Sequence, residues 1–170
     1  MDVGLLMLHG AIGLIMAGHG AQKLFARFGG QGVQATTGFV EKLGWRPARA
    51  FALLLGAAEL LGGLALAVGF ATPLAAAAII AVLANAAWVV HRRNGLWNAA
   101  GGYEYPLALI ASAVSLAFTG AGRYSLDHMI GWNLSGVEWG VAALALGALG
   151  WLLGTVARHI KQEHPVGHPA

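Results

Sequence analysis

Ten polar and aromatic side chains fall inside or at the ends of long apolar stretches, where a polar group is costly unless it has a partner or a function. Two of them, His19 and Glu59, suit proton exchange near neutral pH, because an imidazole titrates there and a buried carboxyl group can hold a proton. The other eight suit hydrogen bonding or packing against a flat ligand: Gln22, Lys23, Asn85, Trp88, His91, Tyr103, Glu104 and Tyr105. These residue types predict a polar binding cavity within apolar surroundings.

The spacing of the polar residues predicts which helix faces carry them. His19, Gln22 and Lys23 are three and four positions apart, so they share one face of a helix. Glu59 has glycines on both sides, so its part of the helix lacks bulk and can approach another backbone closely. These glycines are Gly56, Gly62 and Gly63. Two helices are therefore predicted to bring these groups together.

Two further segments carry residues of the same kind. Asn85, Trp88 and Arg92 form a ridge at helical spacing, with His91 beside it. The stretch GGYEYP at 101–106 places a carboxylate and two phenols at the start of another helix. At about 1.5 Å per residue, all these groups fall in the same half of the membrane, so the sequence predicts one site between four helices.

Each of these residues also has a structural interpretation. Glu59 can be a structural carboxylate that is protonated or paired with Lys23 or His19. Lys23 can be an interface anchor whose aliphatic stem lets the ammonium reach water. Asn85 can make a helix–helix hydrogen bond, and Trp88 can belong to packing or to the aromatic belt at the membrane surface. The sequence leaves these alternatives open.

The composition excludes several classes of protein. The 170 residues are 58% hydrophobic and 10% charged, with a mean hydropathy of +0.67, whereas a soluble domain carries about a quarter charged residues. The net charge of +3 comes from scattered Lys and Arg residues, so nucleic acid is not an expected partner. We therefore expect an all-α integral membrane protein in contact with lipid.

The absence of cysteine restricts the redox chemistry of the chain. Without thiols there is no disulfide, no Cys-ligated zinc or iron–sulfur cluster and no attachment of a c-type haem. His9 and His19 share one helix, whereas ligands of haem b usually come from facing helices, so His9 is interpreted as a core histidine. We expect neither haem nor metal, and any redox role would belong to a bound carrier.

Five apolar stretches are predicted to be transmembrane helices, which need about 20 residues. Lys23 and Arg27 lie at the end of the first stretch, where a cleavage site would be, so we expect a retained helix rather than a signal peptide. The stretches are 3–24, 47–70, 73–91, 103–119 and 137–157. The predicted units are a bundle over 1–127, an extracytoplasmic loop and fifth transmembrane helix over 128–157, and a disordered cytoplasmic tail over 158–170.

The distribution of Lys and Arg predicts how the chain crosses the membrane. If five helices span, nine of the ten basic residues lie on one side and Arg123 alone lies on the other. The positive-inside rule then places the N-terminus outside and the C-terminus in the cytoplasm. A four-span alternative divides the basic residues seven to three and fits the rule less well.

Several motifs occur in an order and spacing that resemble the DoxX family over about residues 4–127. They are HGAQKLF at 19–25, FGG at 28–30, ELLGG at 59–63, His91, NG at 94–95, Trp97 and GGYEYPL at 101–107. The resemblance implies a small four-helix protein of the bacterial plasma membrane, related to the DoxD subunit of thiosulfate:quinone oxidoreductase. The fifth apolar segment departs from that pattern. The redox association comes from this resemblance, whereas the polar cavity comes from residue spacing.

The resemblance and the predicted cavity together suggest an integral membrane component of a redox system that binds quinone or a similar lipid-soluble carrier. His19 and Lys23 would hydrogen-bond a carbonyl of the carrier, and Glu59 would exchange a proton with it. Trp88 and the two tyrosines would pack on its ring. The chain carries no electron source, so as an enzyme it would be one subunit of a quinone-linked oxidoreductase with a soluble or membrane redox partner.

Two other functions remain open at this stage. The protein could be a non-catalytic scaffold that recruits soluble redox enzymes through the basic residues of 27–49, with the polar residues only joining helices. It could also pass a small solute, for which five helices would have to form a homo-oligomer. The spacing of Gly150 and Gly154 allows close helix contact, within the bundle or between copies.

Overall fold

The computed structural model describes residues 2–160, and within them the chain is mostly helical. The helices are α1 (Asp2–Phe25), α2 (Gly32–Lys42), α3 (Ala48–Ala67), α4 (Thr72–Ala86), α5 (Glu104–Thr119), α6 (Leu126–Met129) and α7 (Val137–Ile160). A π turn (Ala87–His91) and a 3-10 turn (Arg92–Asn94) continue α4, and a 3-10 turn (Asn98–Ala100) precedes α5. The all-α prediction is confirmed. Residues 161–170, which form most of the predicted tail, lie outside the described residues.

Four helices are long and apolar enough to cross a membrane, which confirms an integral membrane protein. They are Asp2–Phe25, Ala48–Ala67, Thr72–Asn94 and Val137–Arg158. The remaining predicted span, α5, has only 16 residues, about 24 Å of helix against a hydrocarbon core of about 30 Å. Its ends are nevertheless tied to loops at opposite ends of the bundle, through Glu104 N–H to Leu96 O and Gly136 N–H to Phe118 O. The chain therefore crosses the bundle five times.

One end of the bundle is strongly basic. This basic end consists of the C-terminal ends of α1, α4 and α7 together with the segments 26–47 and 92–103. Eight of the nine described Lys and Arg residues lie at or near it. The ninth, Arg123, lies at the opposite end, where its backbone N–H donates to Asp2. The distribution supports the predicted orientation, which stays a prediction, and Lys161 lies outside the described residues.

The tightest helix pair is α1 and α3, which run antiparallel and touch through glycines. A side chain at Gly13, Gly20 or Gly63 would collide with the backbone of the facing helix. In lipid the hydrophobic effect does not drive helices together. The van der Waals contact that this close approach allows therefore stabilises the pair. This pairing brings the C-terminal end of α1 alongside the middle of α3.

The centre of the bundle is α4, which packs against α3, α5 and α7. Its alanine and isoleucine side chains are buried, among them Ala76 and Ile79. The last helix, α7, runs parallel to α4, with Gly147, Gly150 and Gly154 against it. The predicted close contact at these glycines is therefore made within the bundle, and the additional helix completes its core.

The connection between α1 and α3 contains a helix that the hydropathy pattern did not reveal. α2 is an 11-residue amphipathic helix that packs on both of its neighbours. Its buried Val40 joins Trp45, Ala48 and Ala52 in a small second core. The helix covers the bundle at the basic end.

At the opposite end, Asp127 of α6 caps the start of α4. Its carboxylate accepts hydrogen bonds from the N–H groups of Ala71 at 2.7 Å and Thr72 at 3.0 Å. It also accepts one from the Thr72 hydroxyl at 2.6 Å, and both side chains are buried. The carboxylate thus satisfies donors that a helix start leaves unpaired, and it lies at the positive end of the helix dipole.

We expect Asp127→Ala to lower the free energy of unfolding by about 2 kcal/mol, because buried donors at the start of α4 lose their acceptor. The measurement is the midpoint of SDS-induced unfolding of the purified protein, followed by tryptophan fluorescence. Asp2→Ala is the matched control, since Asp2 makes only a 3.4 Å contact at the same end of the bundle. Equal effects of the two substitutions would contradict the capping role.

Candidate functional site

A cavity of about 700 Å³ lies beside α4, between α3 and α7 and toward the basic end. α4 forms its floor, α3 and α7 form its walls, and α2 closes it at the basic end. Aliphatic side chains such as Leu55, Val82 and Val90 make up most of the lining. Along α4 it extends from Ala78 to His91, about 20 Å. The cavity is thus long, narrow and largely apolar.

The cavity opens sideways between the helices. Leu54 of α3, Leu153 of α7 and Phe39 of α2 belong to its lining and are 64%, 60% and 48% exposed. In a membrane-spanning bundle these exposed apolar side chains face lipid. A lipid-soluble molecule can therefore enter the cavity without passing through water.

Lys23 and Glu59 form an ion pair in the cavity wall, with 2.5 Å between Nζ and Oε2. The Glu59 side chain is 6% exposed and that of Lys23 is 26% exposed. Lys23 lies level with Gly56, so its ammonium reaches about one helical turn away from the basic end to meet Glu59. An interface anchor would instead extend its ammonium toward the membrane surface at the basic end. Among the described residues only Oε2 of the carboxylate has a partner, so Oε1 and further ammonium protons are available to a ligand.

Asn85 lies in the cavity lining where α4 meets α7. Its Nδ2 donates to the Ala81 carbonyl of its own helix at 3.0 Å, so the predicted helix–helix hydrogen bond is not formed. Its Oδ1 is buried against Gly154 and has no partner within residues 2–160. The cavity floor therefore contains a polar atom that the described residues leave unsatisfied.

His91 lies in the cavity lining at the basic end, on the last residue of the π turn. Its Nδ1 is 2.8 Å from the carbonyl oxygen of Gly101, which also accepts a hydrogen bond from Asn94 Nδ2 at 3.2 Å. These bonds tie the end of α4 to the loop that leads into α5. They also hold the imidazole ring at the basic end of the cavity.

The GGYEYP stretch builds this loop rather than the cavity. Glu104 accepts a hydrogen bond from the Asn98 N–H at 2.8 Å, and the backbone N–H of Tyr103 donates to Gly95 O at 3.2 Å. Glu104 is exposed and Tyr103 is half-buried, and neither lines the cavity. These two residues hold the connection between α4 and α5 together.

His19, Gln22 and Tyr105 form a separate polar group between α1 and α5. His19 Nδ1 and Gln22 Oε1 are 3.1 Å apart, and Gln22 Nε2 donates to the Phe28 carbonyl at 2.9 Å. The Tyr105 ring meets the His19 imidazole edge-on, with 6.3 Å between the centroids. His19 and Gln22 share a face of α1 with Lys23 as predicted, but only the long lysine side chain reaches Glu59.

Trp88 lies on the outer surface of α4 and is 43% exposed. The Arg92 guanidinium lies 4.3 Å from its ring centroid, which is a cation–π contact. The Trp151 ring packs edge-on against it from α7, at 5.9 Å. Trp88 therefore serves packing at the bundle surface and does not reach the cavity.

The structure thus brings four of the ten predicted site residues to one cavity: Lys23, Glu59, Asn85 and His91. The other six lie outside its lining: His19, Gln22, Trp88, Tyr103, Glu104 and Tyr105. In particular, the expectation that His19 and Glu104 line the same cavity as Glu59 is not met. Helical spacing predicts which residues share a face of a helix. The contacts of that face depend on which helix packs against it.

The residues that close the cavity at the basic end were not identified from the sequence. Trp45 Nε1 donates to the Gly154 carbonyl at 2.8 Å, and Arg158 Nε donates to the Leu43 carbonyl at 2.5 Å. Trp45 is 9% exposed and lines the cavity, whereas an aromatic residue beside a helix end is typical of the aromatic belt. Its sequence position therefore gave only a misleading signal.

Metal-binding geometry is not found in the described part of the chain, since no three His, Asp or Glu residues there are close enough to hold an ion. The lining is instead suited to an apolar molecule with polar groups at one side. Hydrogen-bond donors come from Lys23, and acceptors come from Glu59 and His91.

The DoxX family model matches residues 4–92, which comprise α1 to α4 and the π turn. The chain belongs to the DoxX family. Neither the search of curated proteins nor the search of solved structures gave a significant match.

The DoxX match contains all four polar residues of the cavity. The motifs at 94–107 and the helices α5 and α7 lie outside the matched residues, which end at 92. In this DoxX protein one wall of the cavity therefore comes from α7, a helix beyond the matched segment. The polar groups and the α3 wall thus lie in the matched segment, whereas the α7 wall lies beyond it.

Proposed function

We propose that this DoxX protein is an integral membrane component of a redox system and binds quinone, or a similar lipid-soluble carrier, in the cavity. The observation that carries the proposal is the Lys23–Glu59 ion pair in the wall of an apolar cavity with a side opening. A buried ion pair adds less stability than a well-packed apolar pair of similar volume. Its position beside open space therefore favours a role in binding.

The residues of the cavity fit a quinone in size and polarity. Small-molecule sites of this kind are mostly apolar with a few polar groups that fix orientation, and a volume of about 700 Å³ lies within their usual range. Trp45 and Phe51 contribute aromatic surface to the lining. The opening beside Leu54 and Leu153 connects an apolar tail with the surrounding lipid.

The roles of the polar residues follow from their hydrogen-bonding capacity. A bound quinone supplies the two-electron, two-proton couple that no side chain of this chain provides. Lys23 donates a hydrogen bond to a carbonyl oxygen, and Glu59 holds a proton on Oε1 while Oε2 keeps its bond to Lys23. His19 lies outside the cavity lining, in the polar group with Gln22 and Tyr105, so in this proposal it does not contact the carrier directly.

The redox association of the DoxX family implies an electron donor, which in this proposal is a partner protein. The basic end suits such a partner, because the cavity reaches it at His91 and most of the basic side chains lie there. A partner with an acidic surface would be attracted to this end. Electrons would then enter the cavity from its basic end.

A labelling experiment tests the binding site, since the absence of native cysteine makes an introduced thiol unique. In Leu54→Cys, decylubiquinone is expected to slow maleimide labelling of the detergent-purified protein at least severalfold. Leu61→Cys is the matched control on α3, because Leu61 is 63% exposed against 64% for Leu54 but lies outside the lining. Labelling there should not change.

Glu59→Gln completes the test, because glutamine keeps the shape of the side chain but cannot exchange a proton. In the background of Leu54→Cys it should weaken the protection by decylubiquinone while the protein still folds. No protection in the starting protein, or equal protection of Leu61→Cys, would contradict a specific carrier site.

A scaffold function is the second candidate, favoured by the concentration of basic residues at one end. In that case soluble redox enzymes bind the basic end, and Lys23 and Glu59 only join α1 to α3. Capture of the same partners by the protein and by Glu59→Gln, with no decylubiquinone protection of Leu54→Cys in either background, would favour the scaffold. A solute pathway has less support, because the cavity ends at the level of Ala78 and the next residues on that helix are buried.

A further inference from the structure

The hydrogen bond from His91 to the loop fixes the chemistry of the ring. A carbonyl oxygen can only accept, so the 2.8 Å contact with Gly101 O requires the proton on Nδ1. In the neutral imidazole, Nε2 then carries a lone pair and can only accept. Among the described residues Nε2 has no partner. Because His91 belongs to the cavity lining, the basic end of the cavity therefore offers a hydrogen-bond acceptor.

Two features of the local structure hold the His91 ring in this orientation. The π turn adds an extra residue to the helix turn that ends at His91, and such turns are frequent at functional sites. The Gly101 carbonyl is itself held by a second donor, Asn94 Nδ2, and Gly101 lies in a loop closed by several backbone hydrogen bonds. The ring therefore cannot turn over without breaking its bond to the loop.

The two polar ends of the cavity differ in hydrogen-bonding character. At the inner end, the Lys23 ammonium donates, which suits a carbonyl group. At the basic end, Nε2 of the His91 ring is the acceptor, which suits a hydroxyl group. Gly62 of α3 packs against Ala78, so Glu59, one turn nearer the basic end on the antiparallel α3, lies level with about Val82. From Val82 to His91 is nine residues along α4 and the π turn, about 13 Å. A single ring cannot contact both ends at once.

We propose that His91 is a specificity residue that recognises the reduced, hydroxyl-bearing form of the carrier at the basic end of the cavity. This inference rests on the proposed function. A hydroxyl group of the reduced carrier donates a hydrogen bond to Nε2, whereas a carbonyl oxygen of the oxidised carrier brings a second lone pair toward it. The oxidised form is bound at Lys23 and Glu59 instead. The two forms thus bind at different ends of one cavity.

Three variants separate recognition by Nε2 from the structural bond of Nδ1. In His91→Asn the amide NH₂ can replace Nδ1–H toward Gly101, but no acceptor remains at the position of Nε2. In His91→Gln the longer side chain can place an acceptor near the position of Nε2 while the bond to the loop is lost. His128→Phe is the control, because His128 is exposed at the opposite end of the bundle.

The experiment measures the binding of decylubiquinol and decylubiquinone to the full chain in nanodiscs, under anaerobic conditions at about pH 8, where imidazoles are mostly neutral. We expect His91→Asn to weaken decylubiquinol binding about tenfold, the size of one lost hydrogen bond, and to change decylubiquinone binding less than twofold. His91→Gln should retain most of the decylubiquinol affinity. His128→Phe should bind both compounds as the unsubstituted protein does.

Three results would overturn the inference, and they differ in what they say of the carrier site. Unchanged decylubiquinol binding in His91→Asn would remove the residue from recognition. Equal weakening of both compounds in His91→Asn and His91→Gln would reduce His91 to a support of the loop. If neither compound binds the unsubstituted protein, the proposed carrier function fails together with the role of His91.

Discussion

Replacing Glu59 with alanine is expected to lower the free energy of unfolding by about 3 kcal/mol. The substitution leaves the Lys23 ammonium without its partner in an apolar cavity wall, and breaking a buried ion pair from one side typically costs about 3–5 kcal/mol. The expected value is at the low end because the Lys23 side chain is 26% exposed and can be partly solvated. The midpoint of SDS-induced unfolding measures the loss.

The chain offers a matched control for this substitution in its exposed ion pair. Arg46 and Glu41 are 2.6 Å apart, with side chains 56% and 45% exposed. Glu41→Ala should change the free energy of unfolding by less than about 1 kcal/mol, because water replaces the lost partner. A loss at Glu59→Ala no larger than that at Glu41→Ala would show that the buried pair is not needed for stability.

The double variant Lys23→Met/Glu59→Leu separates stability from function. Apolar residues of similar volume often replace a buried ion pair without loss, so the double variant should recover most of the stability lost in Glu59→Ala. Under the proposed function it should nevertheless fail to bind decylubiquinone. A stable double variant that still binds it would exclude the ion pair from the carrier site.

The helices were predictable because each carries a long, uninterrupted apolar signal. All five predicted segments are helical, and their ends agree with the structure within a few residues. The hydropathy signal is weak only where a helix is short or amphipathic. α2 was missed for this reason, since its 11 residues bury one side and expose the other. The π turn at the end of α4 has no recognisable pattern in the sequence.

Part of the candidate site was predictable from the sequence. The difference between the residues that were identified and those that were not has a physical cause. Glu59 and Lys23 were identified because a charged group at membrane depth needs a partner, and each is the other's partner. His19 was grouped with them by helical spacing, but its shorter side chain meets Tyr105 instead. Spacing cannot say which helix lies opposite a face, so contacts that depend on helix order were not predictable.

Residues with structural roles at the ends of helices were the least predictable. Asp127 follows a loop of ordinary composition, yet its carboxylate caps a helix that begins 55 residues earlier in the chain. Trp45 likewise donates to a carbonyl on α7, 109 residues away. Such contacts depend on how distant loops meet at the ends of the bundle. Such contacts between distant loops cannot be inferred from a single sequence.

Gly63→Ala is expected to lower the free energy of unfolding by about 2 kcal/mol, even though alanine is the better helix former. An added Cβ would meet the backbone of Ala17 and the carbonyl of Gly13, so α1 and α3 would have to separate. Overpacking against a backbone that cannot turn away typically costs about 1–3 kcal/mol. The higher helix propensity of alanine returns up to about 1 kcal/mol of this cost. Gly63→Val should show a larger loss in the same SDS-unfolding measurement.

Gly18→Ala is the matched control, because the position is helical and no atom lies within 4 Å of the added Cβ. It should raise the free energy of unfolding by up to about 1 kcal/mol through helix propensity alone.

The separation of α1 and α3 also affects the ion pair, since Gly63 lies one turn from Glu59. The double variant Gly63→Ala/Glu59→Ala should therefore lose less unfolding free energy than the two single variants lose together. In the double variant the ion pair is already weakened by the separation of the helices, so its removal costs less. Strict additivity would mean that the glycine contact and the ion pair stabilise the bundle independently.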